Sequence, residues 1–145
     1  MGQDIAQMWG WDLDNQAIGG YTTSLTLTKV DEVFATLAYI PKVAILGLST
    51  ANEGLLSTTN AAEAEAIKVQ FEDGIVTLVN RFLSFGVSTI VVGSVYPQND
   101  YTALQYTTLQ EVWTNSFQTL PLLGNANQNV VVTDFLTILD DGMGG

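Results

Sequence analysis

VAILGLSTANEGL, residues 43–55, opens with six residues that carry no polar side chain and then turns into a polar loop. A continuous apolar run of this length reads as a strand buried on both faces, the pattern of a parallel sheet rather than of a half-solvated antiparallel one. The loop delivers Asn52 and Glu53 at the carboxyl end of that strand. In open α/β sheets ligands bind at that end.

Outward from this strand the pattern repeats. Residues 87–95 form a second, strongly β-branched run, broken at Tyr96 and Pro97, and residues 129–135 form a third. Between them lie helical spacings. Leu27, Val30, Phe34 and Leu37 fall three or four apart, with Thr22 or Thr23 placed to cap and Pro41 placed to stop the helix. Asn60 with Glu63 is a capping-box signal for a longer helix, in which Ile67, Phe71, Ile75, Leu78, Phe82 and Phe85 share a face and Gly86 closes the end. Leu109, Val112, Trp113, Ser116 and Leu120 give a further helix, with Asn99 or Asp100 as its expected cap. A short helix is expected over 3–10, an extended segment over 13–18 ending in the turn Gly19-Gly20, and an irregular tail at DDGMGG. Strands alternating with helices predict an α/β domain with a parallel sheet and helices on both faces, its strands adjacent in the order 43–48, 87–95, 129–135.

Composition narrows the chemistry. One domain is expected from 145 residues, and a net charge of −11 with only four cationic side chains leaves no basic surface for nucleic acid or anionic membrane. No stretch approaches the roughly 18 consecutive apolar residues of a membrane span. The absence of cysteine excludes disulfides, thiolate metal sites and cysteine nucleophiles, and the absence of histidine removes the commonest general base. Asp12 and Asp14 are one residue apart, but the calcium-loop pattern fails at the following positions, so no metal and no cofactor is expected. Ser24, Ser49, Ser57 and Ser94 have no histidine partner and no Ser-x-x-Lys spacing, which makes each a poor nucleophile. Trp9, Trp11, Trp113, Tyr96, Tyr101 and Tyr106 are read as core or interface packing in preference to a sugar-stacking surface.

Three stretches in this order, NQAIGGYTT (15–23), GLSTANEGL (47–55) and VVGSVYPQNDYT (91–102), resemble the SGNH/GDSL hydrolase superfamily, whose members are typically esterases and lipases. The resemblance runs from residue 4 to about 141 and implies that 1–145 is a single SGNH-hydrolase-like domain, a flavodoxin-like three-layer sandwich with a parallel sheet. It implies oxyanion-hole roles for the backbone N–H of Gly20, with Gly19 the alternative, and for the side-chain amide of Asn52. Thr50 stands where that family's block usually has glycine, and Glu53 where it has aspartate. Glu53 is expected to accept hydrogen bonds from loop N–H groups and so to hold Asn52 in place.

The family's Gly-Asp-Ser block, which carries the nucleophile, and its Asp-x-x-His block, which carries the base, do not occur in the chain. The resemblance therefore implies a core that lacks the first strand and half the active site, inactive by itself, whose intact form would act on a small ester. A second reading from a different class is a non-catalytic binding or self-assembling module on the same scaffold. Loss of a central strand would leave unpaired backbone and apolar surface, so that either the sheet closes up or a partner, such as a second copy, covers it.

Overall fold

The computed structural model describes residues 10, 12–96, 98 and 100–136. All but the last residue of the helix expected over 3–10 lies outside the described residues, as do the tail from 140, Trp9 and Trp11, and Pro97 and Asn99. The described elements are α1 (Thr23–Thr36), β1 (Val43–Gly47), α2 (Thr50–Glu53), a 3₁₀ turn (Leu55–Ser57), α3 (Ala61–Ser84), β2 (Thr89–Gly93), α4 (Ala103–Val112), a π-turn (Trp113–Phe117), a second 3₁₀ turn (Leu120–Leu123) and β3 (Asn129–Thr133). The strands form one sheet, parallel throughout, in the order β1-β2-β3, with Gly47, Gly93 and Thr133 in register at its carboxyl edge. This is an α/β architecture with a parallel sheet flanked by helices, consistent with a flavodoxin-like three-layer sandwich of which the described helices form one outer layer, not the both-face cover expected from the sequence.

Each helix starts where a side chain can satisfy an orphan N–H. Thr22 caps α1 by accepting from the Leu25 N–H. Asn60 caps α3 by accepting from the Glu63 N–H at 3.0 Å. Glu63 reaches back one residue further than a capping box requires, accepting from the Thr59 N–H and hydroxyl. Those bonds, the backbone one first, hold its carboxyl below the ordinary glutamate value. At the far end Gly86, at φ +89°, adopts the left-handed turn that closes α3, with its N–H on the Leu83 carbonyl and the Val87 N–H on that of Phe82.

The strands are one to two residues shorter at their ends than the apolar runs, and the helix boundaries also differ from the sequence expectation. The first helix stops at Thr36, short of Pro41, where Leu37 turns extended. Residues 38–40 are exposed, so further helical turns would bury nothing. The third long helix is capped by Thr102 rather than by Asn99 or Asp100, because Thr102 and Gln105 form a reciprocal capping box that neither of those residues can match. It then passes into the π-turn, where the Gln118 N–H reaches the Trp113 carbonyl five residues back.

α1 and α4 each pack against α3, and their buried residues meet one face of the sheet. Val30 of α1, Phe71, Ile75, Leu78 and Phe82 of α3, and Leu109 and Val112 of α4 join Leu46, Ile90, Val92 and Val130 in a single core. Phe71, Phe117 and Trp113 extend it as an aromatic stack with centroids 6.3 and 6.2 Å apart. The opposite sheet face differs from the expectation of strands buried on both sides. Strand alternation turns Val43, Ile45 and Val131 away from the core, and Ile45 is 72% exposed. None of the described helices is long and apolar enough to cross a membrane.

α1 and α3 approach closely at Gly74. A β-carbon at Gly74 would overlap the Thr23 side chain, which is buried against it. Gly74→Ala is therefore expected to destabilise the domain by about 1–3 kcal/mol, the usual cost of overpacking, despite its gain in helix propensity. Urea unfolding of the two proteins checks this, with an unchanged or raised midpoint counting against the close contact.

Candidate functional site

The carboxyl edge of the sheet gathers Leu48, Ser49 and Thr50 after β1, Ser94 and Val95 after β2, and Asp134 and Phe135 after β3. Ser49 caps the single-turn helix α2 through the Ala51 N–H, and that turn ends on Glu53, which is buried although its neighbour Asn52 is exposed.

The Glu53 carboxylate accepts three hydrogen bonds: from the Thr23 N–H at 2.9 Å, the Thr23 hydroxyl at 2.8 Å and the Gln70 side-chain amide at 2.8 Å. The donors belong to the first turn of α1 and to α3, not to the loop that carries Glu53. Its negative end thus lies against a helix N-terminus, where unpaired N–H groups favour an anion. Among the described residues no cation pairs with it.

Because Glu53 is held inward, Asn52 faces out beside the chain that enters α1. Its side-chain amide lies 3.5 Å from the Tyr21 carbonyl, the residue after Gly20. Gly20 has φ +80°, which a side chain would strain, and both Gly19 and Gly20 are exposed in the turn. The structure thus brings Asn52 alongside the 19–20 turn. One amide N–H is directed at a backbone acceptor over a long hydrogen bond.

The segment before that turn departs from the expected pattern. Residues 12–18 form no strand and are exposed; among the described residues the bonds within the segment run from the Gln16 side chain to Asp14 and from the Ala17 N–H to Asn15. The polar stretch Asp14-Asn15-Gln16 meets its own hydrogen bonds and interrupts the alternation that a strand needs.

The remaining polar groups at this edge serve the scaffold. Ser94 accepts from the Phe135 N–H at 2.8 Å and donates to the Val95 carbonyl, closing the β2 and β3 ends together. Thr50 and Tyr101 share a hydrogen bond at 3.0 Å between their hydroxyls, and burial pushes the Tyr101 phenol above its ordinary value. Gln105 donates to the Leu56 and Thr58 carbonyls and ties α4 to the turn after Glu53. Among the described residues no group of three or more acidic side chains is placed to hold a metal ion. A shallow groove of about 230 Å³ between α1 and α3 is lined by Thr23, Gln70, Asp73 and Gly74 among others, and neither Asn52 nor Gly20 reaches it.

Sequence reasoning did not single out Thr23 as a ligand of Glu53, nor Gln70 or Tyr101 as members of this network. Residue types and spacing carry no mark of a pairing across 30 residues of chain. Compared with protein-family models, curated proteins and solved structures, the chain matches none.

Glu53→Ala strands two donors of Thr23 and one of Gln70 in or beside the core. It is expected to lower stability by about 2–4 kcal/mol, the cost of orphaning charge-assisted hydrogen bonds. Chemical denaturation measures it, and a loss below about 0.5 kcal/mol, the level of an ordinary surface substitution, would contradict this account of the loop.

Proposed function

We propose that this chain is the core of an SGNH/GDSL-type ester hydrolase that keeps oxyanion-hole elements, Asn52 and Gly20, but is inactive as it stands. One observation carries the reading: the Asn52 amide lies beside the turn of Gly20 at the carboxyl edge of a parallel sheet, on a loop anchored by a buried carboxylate. A neutral amide and a backbone N–H converging on one point are the donors that a developing oxyanion requires. Neither a histidine nor a cysteine is present, so no side chain here takes a serine proton by the usual route.

Under this reading the chain does not turn over p-nitrophenyl acetate above background, since nucleophile and base each contribute several powers of ten. Its Asn52 side-chain amide and Gly20 N–H resonances should nevertheless shift together when acetate is added, and Asn52→Ala should abolish the Gly20 response. Turnover removed by a single serine replacement, or a Gly20 response that survives Asn52→Ala, would refute it.

A second reading, a non-catalytic self-assembling module, is favoured by the open sheet face around Ile45 and Val131 and by the outer edge of β1, the first strand in the sheet order. It predicts association that strengthens with concentration in sedimentation and is lost in Ile45→Lys. A monomer at every concentration leaves the hydrolase-core reading alone.

A further inference from the structure

β1 is the first strand in the sheet order, and among the described residues nothing pairs with its outer edge. The Thr89 N–H donates to the Lys42 carbonyl, so the backbone groups of Lys42, Ala44 and Leu46 turn toward β2 and those of Val43, Ile45 and Gly47 turn outward. A free row of N–H and C=O groups is a template for another strand, and Val43–Gly47 carries no charge or proline to discourage one.

The topology fixes where a strand leading into α1 belongs. α1, α3 and α4 meet the same sheet face, and the crossovers β1-α3-β2 and β2-α4-β3 step across it in one direction. Crossovers in a parallel sheet share one hand, so a strand before α1 falls one step back, on the free edge of β1. The residues in that position of the chain are 13–18, an extended segment by sequence that forms no strand in the described arrangement and leaves Leu13 and Ile18 exposed. Gly19 and Gly20, the latter at φ +80°, separate it from α1 as a hinge.

Side chains select one parallel register. With Ile18 beside Leu46, both face the helical layer, Ala17 falls beside Ile45, and Asp14 falls beside Lys42, which has no ion-pair partner among the described residues. A slip of one residue turns Ile18 to the other face and parts Asp14 from Lys42, and an antiparallel strand carries Asp14 to the opposite end of β1. The opposing force is local. The Ala17 N–H bonds the Asn15 side chain and must give that bond up, whereas Gln16 and Asp14, two residues apart, stay on one strand face and keep theirs.

We propose that residues 13–18 are a strap that swings on Gly19-Gly20 and closes on the outer edge of β1 as a further parallel strand, withholding that edge from a second copy. The strap does not rest on the hydrolase-core reading. The chain has no cysteine, so Ala17→Cys with Ile45→Cys supplies a single thiol pair, which neighbouring strands bring to about 4.8 Å between Cα atoms, within disulfide reach. Mild oxidation of the full chain should give an intramolecular disulfide whose yield is independent of protein concentration. Asp14→Lys should slow its formation by roughly threefold or more, and Lys42→Asp added to Asp14→Lys should restore it. Asn15→Val, which removes the competing bond, should speed it. Disulfide-linked dimers in place of the intramolecular product, no disulfide although both thiols react with a maleimide, or a rate indifferent to Asp14→Lys overturns the strap. Should the cysteine pair fail to fold, hydrogen exchange of the unsubstituted chain decides. The Ile45 amide should then be protected, and the protection lost in Ile18→Pro, which removes the N–H that this register aims at the Ile45 carbonyl. An unprotected Ile45 amide, or protection unchanged in Ile18→Pro, overturns it.

Discussion

The carboxylate of Glu53 is the constraint on which the carboxyl edge of this domain depends. Taking an anion out of water costs several kcal/mol even after the protein relaxes. Among the described residues the cost is offset without a cation, by two donors from Thr23 at the start of α1 and one from Gln70. Charge-assisted hydrogen bonds contribute about 1.5–3 kcal/mol each, so three are enough to keep the group inside. The consequence is geometric. The short turn after β1, the start of α1 and the middle of α3 are joined at one point, and the loop that carries Asn52 takes its position from it.

That joint explains the neighbouring contrasts in burial. Glu53 points inward and is 6% exposed, while Asn52, one residue earlier on the single turn of α2, points outward beside Tyr21. Thr23 can meet Glu53 only because Gly74 lets α1 approach α3 closely. Among the described residues, the same arrangement leaves no helix on the other side of the sheet. The helical layer converges on the face of Leu46, Ile90 and Val130, and strand alternation then turns Val43, Ile45 and Val131 outward.

Much of the fold was legible because it rests on periodicity and local chemistry. The three apolar runs gave the strands and their order, and the spacing from Ile67 to Phe85 gave α3 with its Asn60 cap and Gly86 close. The cap at Thr102 is legible too, since Gln105 stands three residues on, although Asn99 and Asp100 further upstream are also cap-forming residue types. The stop of α1 at Thr36 was not, because it reflects what further turns would fail to bury. For the candidate site, the placement of Asn52 and Glu53 at a strand end followed from the pattern. The ligands of Glu53 did not, since a contact between residues 23 and 53 is a property of the packed helices. The irregularity of residues 12–18 followed from side chains satisfying themselves locally, which outweighed the weak extended signal of Leu13 and Ile18.

The central claim is that Glu53 and Thr23 act as one unit. A double-mutant cycle with Glu53→Ala and Thr23→Val tests it most directly, because it isolates the energy shared by the pair from the cost of disturbing either residue alone. The account predicts a coupling of about 1–3 kcal/mol in unfolding free energy, the double mutant losing well under the sum of the two single changes. Additive losses, with coupling below about 0.3 kcal/mol, would contradict it.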